Sequence, residues 1–544
     1  MSRPNSAFLG AFLVLVLAVL AVATLAKGGF YIAKHEGDTL HLLQIVLREA
    51  EGQWPHLDFH TPIGVLATAP IALFIWLGFG AGTAILCAQI MVAVLALPAI
   101  WWVAASRFNG ALAYAFGFLV LVLILALVHG ESEGSVSISM HYNRWAWAAA
   151  FVAIACAMLA PREGFQAPVV DGVVIGAALA IMALTKVTYF GAFILPIAVA
   201  LSGRHAWRTM AVAAATGLAA ALVLTLLAGP AFWLAYLRDL LTVMGSEVRP
   251  QPGQPFSSVM GAPAYMGGSL AAIAGVILLR QSGAKREGLV LLLLLPGFFY
   301  VTYQNFGNDP QWLWLTGLIL LALRPAHEHY AGAGWEVKQS LLVVGTVALA
   351  FATPSVINLA YSPFRHLMTE SEEYSLVIPG DNAFSDLFAP NIRLKRVDAS
   401  MALDLEGQPF EAYGDPELRK DIAEFRGETL PDCGIETGLL AYFGLISDDL
   451  RDSGLATGKT LIAADLLSSF WLYGDTEPLP GASPWYYGGL PGWEATDYLL
   501  VPLCPLSPRV RKILLDEVTE AGTELTEVRR NDLYVLYAKE DAGS

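Results

Sequence analysis

Hydrophobic and polar positions along this chain fall in long blocks, not at the short periods of soluble helices and strands. From Ala7 to about residue 356, apolar runs are separated by short polar breaks. A helix needs about 20 apolar residues to cross ~30 Å of hydrocarbon, and such runs therefore predict membrane helices. The pattern places them at 8–26, 82–105, 110–128, 144–160, 168–185, 187–202, 206–228, 265–280, 287–304, 310–324 and 338–356. Basic breaks at Arg107, Arg162, Arg204 with Arg208, Arg280 with Lys285 and Arg286, and Arg324 with Lys338 alternate with acidic or neutral ones. Positive charge marks the cytoplasmic side. Counting from Arg3 and from Arg107 leaves the run 63–80 entering and leaving on one face. It is therefore expected as a juxtamembrane or re-entrant helix interrupted near Pro70. About eleven crossings follow, with the N-terminus cytoplasmic, the first run kept as an anchor and not cleaved near Ala26, and everything after residue 357 outside.

Beyond Asn358 the pattern shortens to that of a folded α/β unit. Residues 460–465 and 497–502 read as buried strands, 508–521 as a helix and 532–539 as a terminal strand. A Gly- and Pro-rich loop at 474–493 contains Trp485, Tyr486, Tyr487 and Trp493. The expected fold class is a polytopic α-helical membrane protein of about 11 transmembrane helices with a C-terminal soluble α/β domain. The domains are 1–356, with a first outer loop at 27–81, and 357–544.

Composition agrees with this division. With 56% hydrophobic residues, 15% charged residues and a mean hydropathy of +0.55, the chain is not a soluble globule. Residues 357–544 hold 32 Asp+Glu against 15 Lys+Arg, and the first 356 hold 15 against 17. The formal charge of −15 thus resides in the tail, which makes nucleic acid an unsuitable partner. Cys87 and Cys156 lie in apolar runs, whereas Cys433 and Cys504 lie in the tail and are free to pair if it sits in an oxidising compartment. There is no Walker loop, dinucleotide fingerprint, Cys-x-x-Cys pair or nucleophile elbow.

Polar chemistry concentrates in the first loop, at His35-Glu36-Gly37-Asp38-Thr39-Leu40-His41 and at 52–62. Leu40, Leu43 and Leu47 fall on one face of a helix over 39–50, which predicts an amphipathic helix returning to the membrane surface. Asp38 is the natural N-cap of that helix, and a carboxylate beside His35, Glu36 and His41 is also placed to accept a proton from a hydroxyl. Lys186 and Arg144 stand at outer helix ends. A lysine between two apolar runs is either a snorkelling charge or a functional cation, and Arg144 beside Trp145 and Trp147 is either an interfacial anchor or an anion ligand. Glu131, Glu133 and His141 are further polar candidates in the second outer loop, as are Asn305, Asn308 and Asp309 ahead of Pro310. His56, Asp58 and His60 lie within five residues, but neighbouring polar groups in a Pro-bounded loop more often satisfy local backbone than hold a metal.

An acidic residue just outside the first span, a helix closing on Glu51-Gly52, and Pro55-x-x-Asp58-Phe59-x-x-Pro62 resemble the first-loop signature of GT-C glycosyltransferases, among them protein O-mannosyltransferases and lipid A aminoarabinose transferases. The resemblance covers residues 35–62 in motif and about the first 360 residues in architecture, making the expected fold GT-C-like. Many such enzymes have Asp-Glu here, whereas this chain splits Glu36 from Asp38 with Gly37 and has Thr39 at the second acidic position when the register is set from Gly52. The resemblance implies an inverting transfer from a polyprenyl-phosphate sugar, with Asp38 as base and Glu36 as the second candidate. Cations must meet the phosphate on which charge grows, and Lys186 and Arg144 are the candidates. His35, His41, Asp58, His141 and Asp309 are the candidate substrate-binding residues.

The resemblance thus implies a glycosyltransferase of a bacterial inner membrane, passing sugar to a periplasmic glycan, lipid or protein acceptor. No cofactor is implied; a divalent metal is compatible with the chemistry but not indicated. The alternative is a non-enzymatic transporter or scaffold carrying an extracytoplasmic α/β module. Against transport, no related halves with matching broken helices are evident.

Overall fold

A computed structural model describes residues 6–129, 134–248, 255–304, 309–331, 334–380, 382–405, 407–415 and 422–539. Helices occupy each apolar run: Ser6–Leu25, Ala81–Arg107, Ala111–Leu125, His141–Met158, Pro168–Thr185, Val187–Gly203, Trp207–Ala228, Pro263–Gln281, Lys285–Gln304, Trp312–Ala322 and Val337–Leu367. Among the described residues, seven are long and apolar enough to cross a membrane; Ala111–Leu125, Val187–Gly203 and Trp312–Ala322 are apolar but shorter. At 1.5 Å per residue, a helix the length of Trp312–Ala322 reaches only about half of the hydrocarbon thickness. The chain is a multi-pass membrane protein. Leu218, Leu226, Leu227 and Leu234, each more than two-thirds exposed, form an outward apolar surface that suits lipid and not water.

Close helix contacts are made by glycines. A Cβ on Gly176 would lie 2.4 Å from the Ala213 carbonyl, and one on Gly172 would lie 2.8 Å from that of Thr209. The two glycines, four residues apart, let Pro168–Thr185 and Trp207–Ala228 touch backbone to backbone.

Two boundaries differ from those expected. The run 63–80 forms a short 3₁₀ turn, Val65–Ala67, and then the helix Ala69–Trp76 with Pro70 in its first turn. Proline there starts a helix instead of interrupting one, because its missing N–H needs no partner. The last membrane helix continues to Leu367, past the polar change at Asn358, since Asn358, Ser362 and His366 are buried.

The tail contains a four-stranded sheet in the order Leu525–Arg530, Tyr534–Lys539, Tyr498–Pro502, Leu461–Ala463. Its last pair is parallel and the others antiparallel. The strands and helix expected at 460–465, 497–502, 508–521 and 532–539 are all present. One face of the sheet, with Ile462, Leu499, Val501 and Val535, packs on Val510, Leu514 and Val518 of the helix Pro508–Ala521. The other, with Leu461, Leu500 and Leu536, packs on Phe443 and Ile446 of the helix Leu439–Asp452. The alternation follows from the two-residue period of a strand. Cys433 and Cys504 are disulfide-bonded with a Cα separation of 5.1 Å, and Cys87 and Cys156 are free.

The first loop does not stand apart from this unit. Phe30–Tyr31 pairs in parallel with Leu387–Pro390. Leu40, Leu43 and Val46 share one apolar cluster with Ile71, Ile85, Phe443 and Leu500. The loop helix, Glu36–Ala50, is thus sandwiched between membrane-helix ends and the tail, and loop and tail form one lobe.

Candidate functional site

The loop helix begins at His35, which occupies the N-cap position in the left-handed conformation at φ 66°. Asp38 is therefore not the N-cap but the third residue of the helix, where the partial positive charge of the N-terminus still favours a carboxylate. Its Oδ2 accepts a hydrogen bond from Ser139 Oγ. His35 Nδ1 lies 3.0 Å from Ser137 Oγ, and the two serines tie this end of the helix to the segment leading into His141–Met158. Glu36 is turned the other way and pairs with Arg393 of the tail at 3.1 Å.

Asp38 borders a small, partly open void of about 20 Å³ together with His41, Ile63, Thr68, Ser139, His141 and Tyr142. His141 is buried and its Nε2 donates to the Ala67 carbonyl at 2.8 Å. The His41 ring lies edge-on to Trp485 at 5.5 Å. Lys186 sits in the break between Pro168–Thr185 and Val187–Gly203 with its ammonium 5.3 Å from the Tyr142 ring centre, a cation–π distance. One aromatic ring therefore links Lys186 to the void that Asp38 borders. The Lys186 break is also packed against the first loop, for the Gly64 N–H donates to the Thr185 carbonyl at 3.2 Å.

Other candidates lie in different surroundings. Arg144 is buried, and its guanidinium donates to the carbonyls of Ala126, Val128 and His129, closing the end of Ala111–Leu125. Asp58 accepts the Trp54 N–H at 2.6 Å and its carbonyl receives the Gly481 N–H at 2.9 Å, so it pins a turn of the loop against the tail. Asp309 opens the turn before Trp312–Ala322, its carbonyl accepting the Gln311 N–H at 2.7 Å. Glu131, Glu133, Asn305 and Asn308 lie outside the described residues.

Sequence reasoning passed over a second polar centre. Asp239 lies in the amphipathic helix Ala231–Met244 and receives three contacts from the first loop: His56 Nδ1 at 3.0 Å, His60 Nδ1 at 2.9 Å and the Thr61 N–H at 3.1 Å. Arg238 donates to Asp239 at 3.0 Å and to the His56 carbonyl at 2.7 Å. Burial opposes ionisation of Asp239, but the bonds from His56, His60 and Thr61 outweigh it and hold the carboxyl at about 2. The histidines thus converge on Asp239 and not on Asp58. The available signal was one Arg-Asp pair inside a mostly apolar run, residues 231–244.

A third feature is a groove of about 450 Å³ bordered by Glu49, Trp54, Val65, Leu73 and Trp76. Burial raises the Glu49 carboxyl to about 8, against the opposing hydrogen bond from Thr68 Oγ1 at 2.7 Å, so it is protonated at neutral pH. Thr68 also borders the Asp38 void, so the Thr68–Glu49 contact forms the wall between void and groove.

No protein-family description, curated protein or solved structure matches this chain.

Proposed function

We propose that the chain is an inverting, GT-C-like glycosyltransferase that moves a sugar from a polyprenyl-phosphate donor to an acceptor on the outer face of a bacterial inner membrane. The observation that carries this is that Tyr142, which borders the same void as Asp38, has the Lys186 ammonium 5.3 Å from its ring centre. An inverting displacement needs a base on one side of the anomeric carbon and a cation for the departing phosphate on the other. Asp38 is the base and Lys186 the phosphate ligand. Arg144 has its donors on backbone carbonyls, and its part is to hold the end of a neighbouring helix; Glu36 is held by Arg393.

A void of about 20 Å³ has room for roughly one water. The sugar therefore enters by displacing the segment around Met140, which is in the left-handed conformation at φ 53°, a backbone state that stores strain in a non-glycine residue. The groove along Trp54, Leu73 and Trp76 suits the isoprenoid chain of the donor, and protonated Glu49 at its inner wall adds no charge to repel the phosphate. We further propose that all eleven apolar helices cross, the short Trp312–Ala322 where the bilayer is locally thinned, which leaves the tail and its disulfide periplasmic, where such a bond persists.

Membranes bearing the chain, supplied with radiolabelled polyprenyl-phosphate hexoses and pentoses, should transfer label to a glycan, lipid or protein that control membranes leave unlabelled. Equal labelling with and without the chain, across all donors tried, would contradict the assignment.

A further inference from the structure

The Asp239 centre opens on a cleft of about 200 Å³ bordered by His60, Arg238, Ser483, Tyr487 and Pro491. Three elements build it: the first loop, the amphipathic helix and the aromatic loop of the tail. The tail loop is fixed there by the backbone, with the His60 N–H donating to the Ala482 carbonyl at 2.9 Å. We propose that this cleft docks a neutral oligosaccharide, the acceptor of the transfer reaction, with His60 Nε2 accepting a sugar hydroxyl and Tyr487 lying against the sugar. This rests on the glycosyl-transfer assignment and names the class of its acceptor.

The chemistry follows from the Asp239 contacts. Ionised Asp239 takes the Nδ1–H of His60, which fixes the ring as the tautomer whose Nε2 is an acceptor. The His60 side chain is 34% exposed whereas that of Asp239 is 2% exposed, so the histidine presents the pair to solvent. Arg238 and Asp239 offset one another's charge at 3.0 Å, and the rest of the lining is hydroxyl, imidazole and apolar. Such lining favours hydroxyl-rich ligands over phosphates. Aromatic faces beside directed polar groups are what a sugar's mixed surface requires.

Position supports the acceptor role. Thr61 and Pro62 border the cleft and Ile63 borders the Asp38 void, so a single stretch of backbone separates the two. An oligosaccharide held at His60 would direct its terminal hydroxyl along Pro62 and Ile63 toward that void, which displacement of the segment around Met140 opens.

The test is binding, separate from transfer. Full-length protein in detergent would be titrated with maltotetraose, cellotetraose, mannotetraose and inorganic phosphate, followed by saturation-transfer NMR. At least one tetrasaccharide should bind and phosphate should not displace it. His60→Gln, which keeps an amide donor for Asp239, and Tyr487→Leu should each weaken binding about tenfold, the scale of one hydrogen bond or ring contact. Lys512→Gln, which removes an exposed ion pair with Asp516 and touches no residue of the cleft lining, should bind as the parent does. Absence of binding by all three sugars, displacement by phosphate, or parental affinity in both cleft variants would overturn the proposal. Sugar binding that depends on His60 in a chain that transfers nothing would uphold the cleft and refute the transferase assignment alone.

Discussion

Glu36 and Asp38 stand two residues apart on one helix turn and have different partners. Glu36 is bound to Arg393, whereas Asp38 accepts the Ser139 hydroxyl at the void. Glu36→Gln should therefore lower stability by about 1–3 kcal/mol through a weakened charge-assisted bond and leave transfer within a few-fold of the parent. Melting and transfer measured side by side would check this; loss of transfer with an unchanged melting point would make Glu36 the base. Asp239 gives a prediction in pH. Its carboxyl is held at about 2, below the usual value near 3.9, so its contribution to stability is full above about pH 5 and is lost as pH falls through 2 toward about 1. The stability gap between the parent and Asp239→Asn should accordingly narrow over that window, and a gap unchanged between about pH 5 and about pH 1 would contradict it. The first-loop carboxylates were legible in the sequence because both lie in one short polar island. The His56–Asp239–His60 centre was not, because its members are some 180 residues apart and meet only when a distant helix is laid across the loop.

At the level of elements, apolar run lengths gave the helix positions closely, since hydrocarbon thickness sets both. They failed where tertiary cover replaced lipid: Val337–Leu367 runs on under the lobe with Asn358 and His366 buried, and a hydropathy pattern stops where polar residues begin. The Leu40 and Leu43 face of the loop helix was visible, but its cover is the tail as well as the membrane-helix ends, which periodicity cannot distinguish. The Gly172 and Gly176 contact makes a sharp prediction. Gly176→Leu should destabilise by at least the ~1–3 kcal/mol typical of overpacking, because its Cβ meets a carbonyl at 2.4 Å. Gly217→Leu, on the neighbouring helix with nothing within 4 Å, should be tolerated. Thermal unfolding in detergent would check the pair, and equal effects would refute the proposed backbone contact. Removing the disulfide by Cys433→Ser with Cys504→Ser should lower tail stability by about 2–4 kcal/mol, read by proteolysis of the tail.

Across the whole molecule, first loop and tail form one lobe set on the membrane helices, and three cavities gather along residues 60–69 where lobe and helices meet. Sequence pattern separated membrane from tail but could not foresee their fusion, because the pairing of Phe30–Tyr31 with Leu387–Pro390 joins segments over 350 residues apart. If the lobe is periplasmic, alkaline phosphatase fused after Ser544 should be active; a cytosol-only fluorescent reporter that lights up there would reverse the orientation. The central claim, that Asp38 is the base of a sugar transfer, is tested most directly by the rate of label transfer from polyprenyl-phosphate sugar in the parent and in Asp38→Asn. The substitution keeps shape and an acceptor for Ser139 but removes the ionised group, so transfer should fall by about 10²–10⁴-fold with folding unchanged; a folded Asp38→Asn protein that transfers at the parental rate would contradict the account.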